Sequence, residues 1–162
     1  MSRKIKYRDR NTIQIVLEAV QEDGSALKYA HPDLKKDKYI VLEAVRNAKK
    51  ALKYASKELR NDKQFMIEVM GVNGFALKYV DSKFKVDKEV ILAAMKHTEG
   101  MVCPMRYVGK VLRNDFIFML DAVRVNHLAF SYASKALRND KSFVMAAMKK
   151  SLFAFMLASP TL

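Results

Sequence analysis

The amino-acid sequence predicts an all-α protein, an α-solenoid-like stack of about six 25-residue repeats. Three observations carry that expectation. One twelve-residue motif recurs: "ALKYAHPDLKKD" at 26–37, "ALKYASKELRND" at 51–62, "ALKYVDSKFKVD" at 76–87, "PMRYVGKVLRND" at 104–115 and "AFSYASKALRND" at 129–140. Between the copies lie apolar stripes with helical spacing. Only 5 glycines and 3 prolines stand among 162 residues rich in Ala, Leu, Lys and Met, a composition that favours helix over sheet.

The aspartates set the register. Asp37, Asp62 and Asp87 are 25 residues apart, as are Asp115 and Asp140, whereas Asp87 to Asp115 is 28. The fourth unit therefore carries three extra residues. The expected organisation is a basic lead-in over 1–11 and one repeat domain over 12–162. Its units are 12–36, 37–61, 62–86, 87–114, 115–139 and 140–162. The last is trimmed, since Leu162 falls where Leu59 and Leu137 fall. The lead-in holds Arg3, Lys4, Lys6, Arg8 and Arg10, an arm suited to a polyanion or to water.

Each unit opens on a residue that can cap a helix, Thr12 or an aspartate, by accepting from the unpaired N–H groups of the first turn. A longer helix follows. Its stripe is Ile40, Val41, Leu42, Ala44, Val45 and Ala48 in the second unit, Phe65, Met66, Ile67, Val69 and Met70 in the third, and Phe118, Met119, Leu120, Ala122 and Val123 in the fifth. Positions i, i+1, i+4 and i+5 share one face, and i+2 widens it toward a second neighbour. Glu43 with Arg46, and Asp121 with Arg124, mark the wet side. This helix is expected to end near Gly24, Gly74 or Gly100 in a left-handed cap.

A second, short helix of about two turns is predicted over segments such as "SALKYA" and "KALKYAS". The chain then breaks after the tyrosine-alanine pair. His31, Ser56, Asp81, Ser134 and Ser159 stand at the next capping position, followed by Pro32 and Pro160, residues tolerated in a first turn. A single helical turn leads to the next aspartate. Tyr29, Tyr54, Tyr79, Tyr107 and Tyr132 form a ladder, expected as core residues with the hydroxyl at the rim rather than as a platform for stacking bases.

On "DKYIVLEAV" at 37–45, "NGFALKYV" at 73–80 and "YASKELRNDK" at 54–63, the chain resembles the short helical repeat catalogued as domain of unknown function 4116. The resemblance spans nearly the whole chain. It implies helical repeats and a scaffolding role, and it brings no catalytic residue. "HTEGMVCPM" at 97–105 and the end after Lys150 depart from the pattern.

No enzyme signature stands out. HExxH, paired CxxC and GxGxxG are absent, and Gly109-Lys110 fails as a phosphate loop because Pro104 holds the earlier glycine position and Val111 replaces the hydroxyl residue. His31, His97 and His127 occupy different unit positions, so no metal is expected. The insertion brings His97, Glu99 and Cys103 close in sequence without an orienting group; a bulged loop explains it better than a nucleophile does. No catalytic residue and no cofactor are expected. With one cysteine there is no intrachain disulfide, and the apolar window "SLFAFMLA" is too short to span a bilayer, so the expectation is a soluble intracellular protein without a transmembrane segment.

Partner binding is the remaining class. The net charge is +13, which attracts polyanions. Lys28, Lys53, Lys78 and Arg106 share one unit position; Arg60, Arg113 and Arg138 share another, with Lys35 and Lys85. In a stacked array, equivalent residues of successive units stand ~10 Å apart, near a Debye length. They persist because water solvates them, because an anionic partner neutralises them, or because the arginines pair with the next aspartate cap or with Glu43 and Glu68. In the last unit Phe153, Phe155, Met156 and Leu157 make an apolar end that could fold back, dock on a partner or meet a second copy. The expected function is a non-enzymatic adaptor or scaffold that binds a protein, or a larger assembly of its own copies, through a repeat face and that end. The alternative is a nucleic-acid or polyanion binder using the basic rows.

Overall fold

From the second unit onward an aspartate bends the chain and then caps a helix. Asp37 is extended (φ −77, ψ 116), and its Oδ1 accepts from the Ile40 N–H at 3.1 Å. Asp62, Asp87, Asp115 and Asp140 do the same for Phe65 (3.1 Å), Val90 (3.3 Å), Phe118 (2.9 Å) and Phe143 (3.0 Å). The structure, a computed structural model, describes residues 10–96 and 103–151. Its α-helices are α1 (Arg10–Glu22), α2 (Lys38–Asn47), α3 (Lys57–Asn61), α4 (Lys63–Val72), α5 (Lys88–Lys96), α6 (Lys110–Arg113), α7 (Phe116–Val125), α8 (Lys135–Arg138) and α9 (Lys141–Lys150). The longer ones, α1, α2, α4, α5, α7 and α9, each lead one predicted unit. Thr12 is the exception among the capping residues: α1 already runs from Arg10, so Thr12 lies inside it.

The second element is helical but of the tighter 3₁₀ kind: Gly24–Tyr29, Lys49–Tyr54, Gly74–Tyr79, Pro104–Tyr107 and His127–Tyr132. Six residues make two 3₁₀ turns and reach ~12 Å, against ~9 Å as α-helix. The third element is a single turn: 3₁₀ at Leu34–Lys36 and Ser82–Val86, and α3, α6 and α8 in the other units. Ser56 and Ser134 cap as expected, accepting from Leu59 (3.3 Å) and Leu137 (3.2 Å), whereas the Asp81 side chain caps nothing.

The expected left-handed caps at Gly24 and Gly74 do not occur, and Gly100 lies outside the described residues. The longer helices end on residues in extended conformation, Ala48 (φ −143), Asn73 (φ −153) and Asn126 (φ −149), and Gly24 and Gly74 open the next element instead. An extended residue reverses the chain without positive φ.

The stripes pack as read within the helices, although Ala48 falls outside α2 as its half-buried, extended cap. Ile40, Val41, Ala44 and Val45, then Phe65, Met66, Val69 and Met70, then Val90, Ile91, Ala94 and Met95, are all buried, with Leu42, Ile67 and Leu92 half-buried at the widened edge. Longer helices stack in order, α1 on α2, α2 on α4, α4 on α5, α5 on α7 and α7 on α9, and the 3₁₀ segments stack beside them. The core thus runs along the array.

Polar links recur at the junctions. Asn47 Nδ2 donates to the Val20 carbonyl and Asn73 Nδ2 to the Val45 carbonyl, each at 3.2 Å. These are C-terminal carbonyls of the preceding helix, which have no partner within that helix. Lys38, Lys63 and Lys88 reach the next unit's cap, Asp62 (3.4 Å), Asp87 (2.9 Å) and Asp115 (2.7 Å). Phe116 holds the same position in unit five and packs edge-on against Phe143, ring centroids 5.5 Å apart.

These caps make stability acid-sensitive. The Phe65 N–H, with Lys38, holds Asp62 below the ordinary carboxylate range, and the Lys88 ammonium does so for Asp115. Desolvation pushes Asp87 upward, but Lys63 and the Val90 N–H outweigh it and its pKa is lowered too. A carboxyl whose folded pKa lies below its unfolded value stabilises above the unfolded pKa and stops doing so as pH falls through the folded one. The urea midpoint is therefore expected to hold through mild acidity and to drop below about pH 4, with a shallower drop in Asp115→Asn. An equal drop in that variant would count against the cap as its source.

Candidate functional site

The two basic rows part ways in the structure. Nε of Arg60, Arg113 and Arg138 donates to the carbonyls of Ala55 (3.3 Å), Val108 (3.0 Å) and Ala133 (3.2 Å). Those carbonyls belong to the extended residues that end the 3₁₀ segments (ψ 153, 141 and 151). An extended residue has no helical donor for its carbonyl, and the arginine five residues on supplies one. Arg113 also donates to the Arg106 carbonyl at 2.9 Å, and Lys35 donates to the Lys28 carbonyl at 2.8 Å. Arg60, Arg113, Arg138 and Lys35 are thus tied to the fold. Their partners are backbone carbonyls; among the described residues the carboxylate paired with them is Asp81, 3.8 Å from Arg60.

Lys28, Lys53, Lys78 and Arg106 are exposed. They pair with the tyrosine ladder: Lys28 lies 5.4 Å from the Tyr29 ring centroid, Lys78 5.6 Å from Tyr79 and Arg106 5.7 Å from Tyr107. Two contacts cross to the next unit, Lys53 to Tyr79 at 5.0 Å and Arg113 to Tyr132 at 5.9 Å. Cations over ring faces gain about 0.5–1 kcal/mol each at exposed sites. Tyr54, Tyr79, Tyr107 and Tyr132 are half-buried against the core, whereas Tyr29, expected there too, is exposed. With cations over Tyr79, Tyr107 and Tyr132, a base-stacking platform has little support. What remains is a ridge of cations set on rings, its positive ends in solvent.

The other sequence candidates separate as well. Phe153, Phe155, Met156 and Leu157 lie outside the described residues, as do His97 and Glu99. Cys103 is fully buried, and desolvation pushes its thiol pKa up, which disfavours the thiolate a nucleophile needs. No cluster of three or more metal-binding side chains occurs among the described residues, and none of their helices is long and apolar enough to cross a membrane. Clefts between units are open and small, about 270–290 Å³.

Two surfaces went unread in the sequence. Val86, Val111, Phe116 and Ile117 are exposed apolar residues where other units carry Asn61, Glu58, Lys63 and Gln64. Aligning the units position by position exposes that exchange. Ile15 is exposed as well, although the register makes it a core position.

The family model for the domain of unknown function DUF4116 matches residues 12–60, 62–102, 87–138 and 115–162. No curated protein and no solved structure matches the chain.

Proposed function

The chain belongs to the DUF4116 repeat family, and from that premise we propose that it is a non-enzymatic scaffold that captures an acidic macromolecule along one repeat face. One observation carries the reading: Lys28, Lys53, Lys78 and Arg106 stay exposed at one position in successive units, while the arginine row is bound to backbone. A row of like charges repels itself, and an acidic partner relieves that repulsion. The apolar residues Phe153, Phe155, Met156 and Leu157 are a second contact in this reading. An adaptor also fits the small, open clefts, because a protein partner needs area rather than a deep pocket. The net charge of +13 favours nucleic acid as the second reading.

Fluorescence anisotropy separates the two, with a labelled polyglutamate peptide, a DNA duplex and a single strand titrated at low and physiological salt. The scaffold reading expects the peptide to stay bound at physiological salt and to weaken at least about tenfold, ~1.4 kcal/mol, in Lys53→Glu/Lys78→Glu. Nucleic-acid binding that survives the same salt and weakens in that variant would promote the second reading. Binding lost on adding salt, whichever the probe, would mark the charge as generic and leave the ridge without a role.

A further inference from the structure

Unit two departs from its neighbours where its 3₁₀ segment begins. Lys49 and Lys50 stand where units one, three and five carry Gly24, Gly74 and His127, then Ser25, Phe75 and Leu128. Before them comes Ala48. In those three units this position holds Asp23, Asn73 and Asn126, whose side chains accept from the N–H groups of Ser25 (2.8 Å), Phe75 (3.2 Å) and Leu128 (3.0 Å). Ala48 offers no such acceptor. The exchange adds two positive charges and removes one acceptor at a single place.

That place is a cleft of about 290 Å³ between units two and three, lined by Asn47, Ala48, Lys49, Lys50, Asn73 and Tyr79. None of these residues carries a carboxylate. The Asn47 amide donates to the Val20 and Glu43 carbonyls, and the Asn73 amide to the Val45 carbonyl. Lys49 and Lys50 are exposed, and among the described residues neither forms a salt bridge. Lys49 lies 5.4 Å from the Phe75 ring centroid. Asp23 is held below the ordinary carboxylate range first by the Ser25 N–H and hydroxyl and least by Lys50. The charge of Lys50 is therefore open to a stronger anion. Tyr79 forms one wall, and its ring centroid is 5.0 Å from the Lys53 ammonium and 5.6 Å from that of Lys78. Four ammoniums thus border one small cleft.

We propose that this cleft binds a phosphoryl group borne on a side chain of the acidic partner that the ridge captures. The proposal deepens the scaffold reading and rests on it for the partner's acidic flanks. A phosphorylated side chain is close to dianionic at neutral pH and offers three strong acceptor oxygens. It matches the adjacent ammoniums of Lys49 and Lys50 and the Tyr79 hydroxyl. A carboxylate brings one charge and two oxygens, and a nucleic-acid diester brings one charge. Size agrees as well: the cleft is open and falls below the roughly 300–1,000 Å³ of pockets that enclose a whole small ligand, so it suits a group presented at the tip of a side chain.

Fluorescence anisotropy at physiological salt tests it, with labelled acidic peptides of one sequence whose central residue is serine, glutamate or phosphoserine. The phosphoserine peptide should bind at least about tenfold more tightly than the glutamate peptide. Lys49→Gln/Lys50→Gln, at exposed positions outside the ridge, should keep wild-type helicity and erase that advantage while weakening the serine peptide far less. Inorganic phosphate identifies the source of the group. It should displace the phosphoserine peptide only far above that peptide's own Kd; displacement at comparable concentration would assign the cleft to the free ion and overturn the partner-borne group. Equal binding of the glutamate and phosphoserine peptides, or an advantage that survives in the variant, would overturn the proposal. So would a DNA duplex that binds more tightly than the phosphoserine peptide and weakens in the same variant. The two readings fail separately. Equal binding of all the peptides sinks the cleft and leaves the ridge, whereas binding of the phosphoserine peptide alone sinks the ridge and leaves the cleft. Silence from every peptide sinks both.

Discussion

Gly24→Ala is expected to lower the free energy of unfolding by about 3 kcal/mol. A Cβ built at Gly24 would stand 2.0 Å from the Ala44 carbonyl oxygen, and 2.9 Å from both the Ala44 carbonyl carbon and the Ala48 nitrogen. All three are backbone atoms in or just after the last turn of α2, so no side chain can swing away. Relief requires the first 3₁₀ segment to move off α2, which opens the first junction. Gly71→Ala is the matched control. Nothing lies within 4 Å of a Cβ there, and the residue sits in α4, where alanine is favoured over glycine by roughly 0.5–1 kcal/mol. Urea midpoints should therefore move in opposite directions. A Gly24→Ala midpoint equal to wild type would mean that the two elements are not in this contact.

Phe65→Ala is expected to remove about 3–5 kcal/mol. Phe65 is fully buried, its N–H is held by Asp62, and Lys38 of the preceding unit lies 5.6 Å from its ring centroid. It therefore serves its own helix, the core and the junction behind it. Repeat arrays unfold as coupled neighbours, so a weakened central junction should also broaden the transition or split it in two. The contrast is Ile15→Ala, a larger-to-smaller change at the same register position on an exposed face. It should stay within about 0.5 kcal/mol. Equal effects of the two would contradict the difference in burial between unit one and the rest.

Most of the local architecture was legible because its causes are local. The carboxylate of Asp62 caps an N–H three residues on, and positions i, i+1, i+4 and i+5 share a helix face whatever the helix packs against. The same holds for the break after Ala55, where a serine sits ready to cap the next turn. The basic rows were legible as rows but not as roles. Lys53 and Arg60 look alike in sequence. Arg60 is bound because Ala55 is extended and leaves a carbonyl without a donor, a geometry that appears only once the second element is 3₁₀ rather than α. Gly24 misled for a related reason. Glycine suggests positive φ, but here it answers a close approach by α2.

From its own residues, then, the chain determines the period, the order of elements, the caps and the buried stripe, because each depends on side chains within about one helical turn. The tertiary structure decided which positive charges are bound to backbone and which face outward, why Gly24 must lack a side chain, and that Ile15 lies on an open face while its register partners are covered. Those outcomes depend on what the neighbouring unit presents about 25 residues away, and no signal within one turn of helix carries that information.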